Sequence, residues 1–243
     1  MTETSGQARK SSSFVAALRH FRPSAGFVRL GGVKSSRKRY VDDYVRHLRL
    51  ENFRDRPTYE TGLCAGLRWA VRQGDHVCVV GAGHGITTAL AADLAGRGGH
   101  VTCYEGSDRL MEVTKRTLAI NGVLDRVRLE NAIVGAAISV YSSRETVATV
   151  DPATLPDCDV LELDCEGAEK IILGDLRIRP RVILVETHGC FGCGYEETTR
   201  LLENLGYTVR SLGVAELDKA ASCIEKEIYV LMGMRDGGVA AVA

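Results

Sequence analysis

Three carboxylates stand within six residues of one another, at Asp164, Glu166 and Glu169, directly after the apolar run Val160–Leu163. A second apolar run, Val182–Val185, leads into Glu186-Thr187-His188. Carboxylates beside a ligand cleft are costly unless they are solvated, hydrogen-bonded or paired with a cation. Their chemical uses there are proton transfer and the holding of positive charge. Acids opening a helix are also stabilised by its dipole, which accounts for Glu166 and Glu169 better than for Asp164. An imidazole at the same place titrates near neutrality, so His188 is a candidate proton acceptor. It is equally a histidine that closes a strand end.

The other chemistry-bearing stretch is Val77–Ile86, VCVVGAGHGI. Val77–Val80 reads as a strand buried on both faces. Gly81, Gly83 and Gly85 follow, and then ITTALAADLA, a helix pattern. Strand, glycine turn and helix open a nucleotide-binding α/β unit, because glycine lets a ligand approach the backbone closely. A dinucleotide fingerprint asks for a small residue at position 86. Ile86 stands there instead, and the spacing G-x-G-x-G fits S-adenosylmethionine (SAM) better than a pyrophosphate. Glu105, 24 residues after Gly81, ends the next apolar run. A carboxylate there can accept both ribose hydroxyls of a nucleoside, in NAD and SAM folds alike.

The elements that must position these residues alternate. Strands are expected at Val77–Val80, His100–Tyr104, Arg126–Val134, Val160–Leu163 and Val182–Glu186. Helices are expected at Thr61–Arg72, Asp108–Asn121 (with Gly122 as C-cap), from near Glu166 through Ile172, and at Tyr195–Leu205. Tyr207–Leu212 and Glu227–Met232 read as an antiparallel pair. Such alternation gives a doubly wound sheet with its ligand at the carboxyl ends of the strands. A helix over residues 61–72 covers one side of that cleft, within reach of Tyr59 and Glu60. Gly135–Asp157 is less regular, with a short strand expected at Ala137–Tyr141 and a Ser/Thr-rich loop ending at Pro152 and Pro156.

The segment Asp164-Cys165-Glu166-Gly167-Ala168-Glu169 resembles the signature of FkbM-type SAM-dependent methyltransferases. VVGAGHG and VTCYEGS are similar to that family's first two strands, RVRLENAIVG to its third and RVILVETHG to its fifth. The resemblance covers about residues 57–235. It implies an α/β, doubly wound, Rossmann-like class I methyltransferase sheet of seven strands, the last one antiparallel, here with a helical N-terminal extension. It implies SAM contacts from Gly81, Gly83 and His84 and ribose binding by Glu105. Asn131 and Ala132 would lie near the adenine, and Asp164 near the methionine end or the acceptor. The expected reaction is O-methylation of a hydroxyl on a small molecule, sugar or lipid-linked acceptor. SAM is already activated, so positioning does most of the catalysis, but an alcohol must still lose its proton. Asp164, Glu166 and His188 are the candidate catalytic residues. No metal is assigned, although Asp164, Glu166, Glu186 and His188 together could form an oxygen/nitrogen site of the catechol O-methyltransferase kind.

The 243 residues carry no net charge, but the first 57 hold 13 Lys/Arg against 5 Asp/Glu. This suggests a basic, partly disordered and partly helical extension over residues 1–56 and a SAM-binding domain over 57–243. Residues 1–13 are polar and Ser-rich, and helices are expected in FVAALRHF and over Tyr40–Leu50. The cluster Lys34–Arg39 could meet RNA, an anionic lipid surface or a phosphorylated substrate, or stay solvated. An RNA methyltransferase using this arm is one rival; the zero net charge and few aromatic residues of the arm argue against it. A non-catalytic nucleoside-binding module of the same fold is another. The sequence holds no signal-peptide h-region and no apolar run of about 18 residues, so a cytoplasmic protein is expected. Eight cysteines spread through such a chain read as reduced thiols. Cys190-Phe191-Gly192-Cys193 lacks the further ligands a zinc site needs and reads as a mobile Gly/Cys loop over the acceptor pocket.

Overall fold

The computed structural model describes residues 27–36, 55–136 and 147–235. The helices expected in FVAALRHF and over Tyr40–Leu50, the strand Ala137–Tyr141 and the polar first 13 residues lie outside them. Phe27–Leu30 (β1) and Val33–Ser36 (β2) form an antiparallel hairpin around Gly31 and Gly32, both at positive φ. Within the described residues, 27–36 is therefore strand rather than helix. The signal was FVRL-GG-VKSS, since a two-glycine turn at positive φ matches the twist of paired strands. Leu30 is fully buried in the main core. Asn121 holds the Lys34 backbone at both its N–H (3.3 Å) and its carbonyl (2.7 Å).

Thr61–Ala70 (α1) leads into His76–Val80 (β3), Ile86–Ala95 (α2), His100–Tyr104 (β4) and Asp108–Asn121 (α3). Helix α3 is capped as its sequence suggests. Ser107 Oγ accepts the Leu110 N–H, and Gly122 closes the other end in the left-handed region. Val127–Glu130 (β5) follows, then Ala132–Val134 (β6), Ala148–Val150 (β7), Val160–Leu163 (β8) and Glu169–Asp175 (α4). The chain ends through Val182–Glu186 (β9), Tyr195–Asn204 (α5), Thr208–Val214 (β10), Ala220–Glu225 (α6) and Tyr229–Met234 (β11).

Seven strands make one sheet in the order β10-β11-β9-β8-β3-β4-β5. The last strand, β11, lies between β9 and β10 and runs antiparallel to both. The expected third strand, Arg126–Val134, is two strands. It breaks at Asn131, and β6 leaves the main sheet to pair in parallel with β7. Asn131 turns its side-chain amide onto the Glu105 carbonyl at 2.9 Å, which ties the break to the end of β4.

Both faces of the central strands are dry, while the edge strands β10 and β5 are partly exposed. Val77, Val79, Val101, Val182 and Leu184 pack under α1 and α2, while Cys78, Val80, Leu161, Leu163 and Ile183 pack with α4 and α5. Each fully buried Val or Leu contributes about 1.5–3 kcal/mol over its exposed state, so the strands have no preferred solvent face. Cys78 and Cys103 sit in these layers as small hydrophobes, and all eight cysteines are free. No helix among the described residues is long and apolar enough to cross a membrane.

Candidate active site

Strand register puts the site together. Val80 pairs with Tyr104 on one side and with Leu163 on the other, and Leu163 pairs with Val185. The next residues along, Gly81, Glu105, Asp164 and Glu186, therefore line up across the carboxyl edge of four adjacent strands. At Gly81 the backbone has φ +96°, and a Cβ would meet the Asp164 carbonyl oxygen at 1.7 Å. No side chain fits between Gly81 and Asp164, so glycine is required for packing as well as for the turn.

One half of this edge is organised around Glu105. The Gly83 N–H donates to Glu105 Oε2 at 2.9 Å, and the Ser107 N–H donates to Oε1 at 2.8 Å. Glu105 is buried and holds the glycine loop against the start of α3. His84 leans the other way, with its Nδ1 2.8 Å from the Tyr59 hydroxyl. Ala132 is buried beside this edge, and Asn131 is exposed above it.

The other half is a histidine ringed by acids. His188 is only 3 % exposed. Its Nδ1 donates to Glu169 Oε1 at 3.1 Å. Its Nε2 faces Asp164 Oδ1 and Glu166 Oε2, each at 3.7 Å, and Glu186 Oε1 at 3.8 Å. Those three separations are too long for hydrogen bonds. The helix expected from near Glu166 starts at Glu169. Glu166 and Gly167 are at φ +54° and +106°, and this left-handed turn brings the Glu166 side chain back over the strand ends. Glu169 is wholly buried and accepts the N–H groups of Cys165 and Gly167, each at 2.8 Å.

The charges follow from this packing. Burial alone would lower the His188 pKa. The Glu169 hydrogen bond and the charges of Asp164, Glu169 and Glu166 outweigh it and raise the value to about 9. Burial raises Asp164 to about 7, with His188 opposing and Glu166, Glu169 and Glu105 adding to the rise. Burial raises Glu186 and Glu60 well above the usual carboxylate range, and Asp164 adds to both. Glu162, one side-chain repeat below Asp164 on the same face of β8, is wholly buried and pushed up to about 8, first by burial. The largest electrostatic influences on Asp164 and Glu186 come from other carboxylates and His188, and those on Glu60 from Asp164, Glu162 and Glu216 together with the Tyr59 side chain.

The structure thus brings Gly81, Gly83, His84 and Glu105 to one half of the edge and Asp164, Glu166, Glu186 and His188 to the other. Sequence reasoning missed the role of Glu169, whose place in the first turn of a helix hid its contact with His188. It also missed Glu162, an acid inside a strand buried on both faces, which was the available signal. In the loop after His188, His188 and Cys193 form a β-bridge, and a Cβ at Gly189 or Gly194 would run into Glu227. Gly189 and Gly194 thus serve close packing, while Gly192, at φ +78° with open space around it, serves the turn. Cys193 is buried against the Thr198 hydroxyl at 3.3 Å, while Cys190 is exposed.

A SAM-dependent O-methyltransferase from Thermotoga maritima superposes with a TM-score of 0.51, at 15% identity, over 81% of this chain and 71% of that one. The fold is that of class I methyltransferases. No protein-family model matches the chain. A probable cobalt-precorrin-6B C(15)-methyltransferase (decarboxylating) from Halobacterium salinarum is 32% identical over 124 residues, which span 48% of this chain and 65% of that protein. The O-methyltransferase TomG from Streptomyces achromogenes, solved in complex with SAM, is similar over 96% of this chain and 99% of that one, at 13% identity and a TM-score of 0.47.

Proposed function

We propose that this chain is a SAM-dependent methyltransferase that methylates a hydroxyl oxygen on a small molecule, sugar or lipid-linked acceptor. The observation that carries the reading is the crowding of acids at the cleft, which raises their pKa values and which a bound cation would relieve. Glu60, Glu105, Asp164 and Glu186 gather beside a glycine loop, which suits a cofactor bearing a sulfonium and an ammonium. A dinucleotide pyrophosphate would meet repulsion there. The similarity to a precorrin methyltransferase supports methyl transfer, and the FkbM-like D-x-E-G-A-E segment supports oxygen as the acceptor atom.

When bound, SAM supplies a methyl group whose transfer breaks the sulfonium S–C bond, forms the O–C bond and leaves the electron pair on sulfur. The chain's residues position the two reactants. Glu105 takes the ribose hydroxyls, with Asn131 and Ala132 beside the adenine, and Gly81, Gly83 and His84 form the wall along the cofactor. Asp164 lies between the loop and His188 and accepts the hydroxyl proton through a carboxylate oxygen. His188 and Glu166 orient the acceptor around it. An open groove of about 690 Å³, lined by Gly189, Gly192, Tyr195, Arg200 and Tyr229 among others, runs beside the loop that follows His188, but neither Asp164 nor His188 lines it.

Calorimetric titration with S-adenosylhomocysteine tests this reading, with NAD as control. Micromolar binding that is lost in Glu105→Ala, with no response to NAD, is the expected result. No binding of S-adenosylhomocysteine by the unaltered chain, or binding of NAD in its place, overturns it.

A further inference from the structure

We infer that Asp164, Glu186 and His188 hold a divalent cation, which would bind the acceptor oxygen; this deepens the methyltransferase reading and rests on it. One ligand atom from each of the three residues falls within a sphere where all pairs lie within 4.8 Å. The set is two carboxylate oxygens and one imidazole nitrogen, a hard donor group suited to Mg²⁺, Mn²⁺ or Fe²⁺.

Two observations point to a ligand beyond the cluster itself. Glu186 Oε2 is shut off from solvent with no hydrogen-bond partner. Glu162, wholly buried, has no well-formed hydrogen bond to either carboxylate oxygen; the Thr87 hydroxyl is the polar group that favours its charge, and burial outweighs it. Glu162 pairs with Val79 and Leu184 in the sheet, and Leu184 stands two residues before Glu186 as Glu162 does before Asp164. Its side chain thus lies on the face that carries Asp164 and Glu186, one step below them. Buried, unsatisfied carboxylate oxygens are expensive, and positive charge bound above them would offset that cost. No Lys or Arg side chain makes a hydrogen bond or ion pair with Asp164, Glu162 or Glu186 among the described residues.

The imidazole is oriented as metal-ligating histidines are. Glu169 accepts the Nδ1 proton and is itself fixed by two backbone N–H groups, so Nε2 points to the carboxylates. A carboxylate behind a histidine fixes the ring's tautomer and angle and raises its basicity toward a metal. A cation there would lower the pKa of a bound hydroxyl, and the second oxygen of Asp164 would remain to take the proton.

Mn²⁺ binding by electron paramagnetic resonance, on chelator-treated protein, tests the inference. One Mn²⁺ per chain is expected, displaced by Mg²⁺. The affinity should fall at least ~10-fold in Asp164→Asn and in His188→Gln, as loss of one ligand from a small site demands. His100→Ala, an exposed histidine far from the site, should leave it unchanged. A folded wild-type chain that binds S-adenosylhomocysteine and no Mn²⁺ overturns the inference and leaves the methyltransferase reading standing. Mn²⁺ binding that both ligand variants retain also overturns it. Mn²⁺ binding lost in those variants, without binding of S-adenosylhomocysteine, supports the metal site and sinks the methyltransferase reading. Far-ultraviolet circular dichroism of each variant separates ligand loss from unfolding. If either variant is unfolded, Glu186→Gln replaces it under the same criterion.

Discussion

Glu169 decides which way His188 faces. Its Oε1 accepts the imidazole Nδ1–H at 3.1 Å, while the same carboxylate accepts the amides of Cys165 and Gly167. A wholly buried acid with three donors stays ionised: burial raises its pKa, but the His188 hydrogen bond and charge, with the Cys165 amide, bring it below the usual range. The ring is held by its back, and its Nε2 is presented to three other acids.

That arrangement makes His188 a stable imidazolium in metal-free protein. Its NMR titration midpoint should lie near pH 9. Glu169→Gln removes the largest influence favouring the charged form, so the midpoint should fall by at least about one pH unit. An unchanged midpoint in that variant would show that Glu169 does not set the state of the ring.

The approach of Gly81 to Asp164 gives a sharp stability test. Alanine at 81 combines φ +96° with a Cβ 1.7 Å from a backbone oxygen, so the ends of β3 and β8 must separate. The cost should be at least ~2 kcal/mol in urea unfolding, and cofactor affinity should fall with it. Gly122→Ala, also at positive φ but with no atom within 4 Å, should cost only the conformational part, roughly 1 kcal/mol.

Glu105 ties the glycine loop to the end of β4 through the Gly83 and Ser107 amides. Glu105→Gln removes the charge and leaves one of these two amides facing an NH2 group that cannot accept its hydrogen bond. Charge-assisted hydrogen bonds are each worth about 1.5–3 kcal/mol, so S-adenosylhomocysteine should bind roughly 10–100-fold more weakly. Equal affinity in calorimetry would remove Glu105 from the cofactor site.

A pH effect on stability comes from the opposite edge of the sheet. His76 stacks on His100 at 3.9 Å between ring centres and makes contacts to the Asp157 carbonyl and the Thr102 hydroxyl. Burial, then the neighbouring His100, lowers its pKa from 6.5. The folded state therefore favours the neutral ring. The stability this contributes is full above about pH 6.5 and is lost as the pH falls through the lowered folded value. His76→Asn should flatten the stability curve below about pH 6.5 in urea unfolding; the same slope in variant and parent would refute it.

The sequence by itself determined the frame. Runs such as Val77–Val80, His100–Tyr104 and Val160–Leu163 are apolar on both faces, and only a parallel sheet covered by helices on both sides can bury them. Caps were legible too, since Ser107 and Gly122 act locally. The hairpin at Gly31-Gly32 and the break at Asn131 were legible less well, because short alternating stretches suit several structures and the long-range partners decide among them. Only the tertiary structure decided the site. That Gly81, Glu105, Asp164 and Glu186 share one edge depends on strand register, which brings together residues more than a hundred positions apart. That Glu169 serves His188, while Glu162 lies wholly buried on the same strand face as Asp164, depends on which carboxylates the folded chain takes out of water. Residue type fixes that an acid can carry charge; packing fixes where that charge must find a partner.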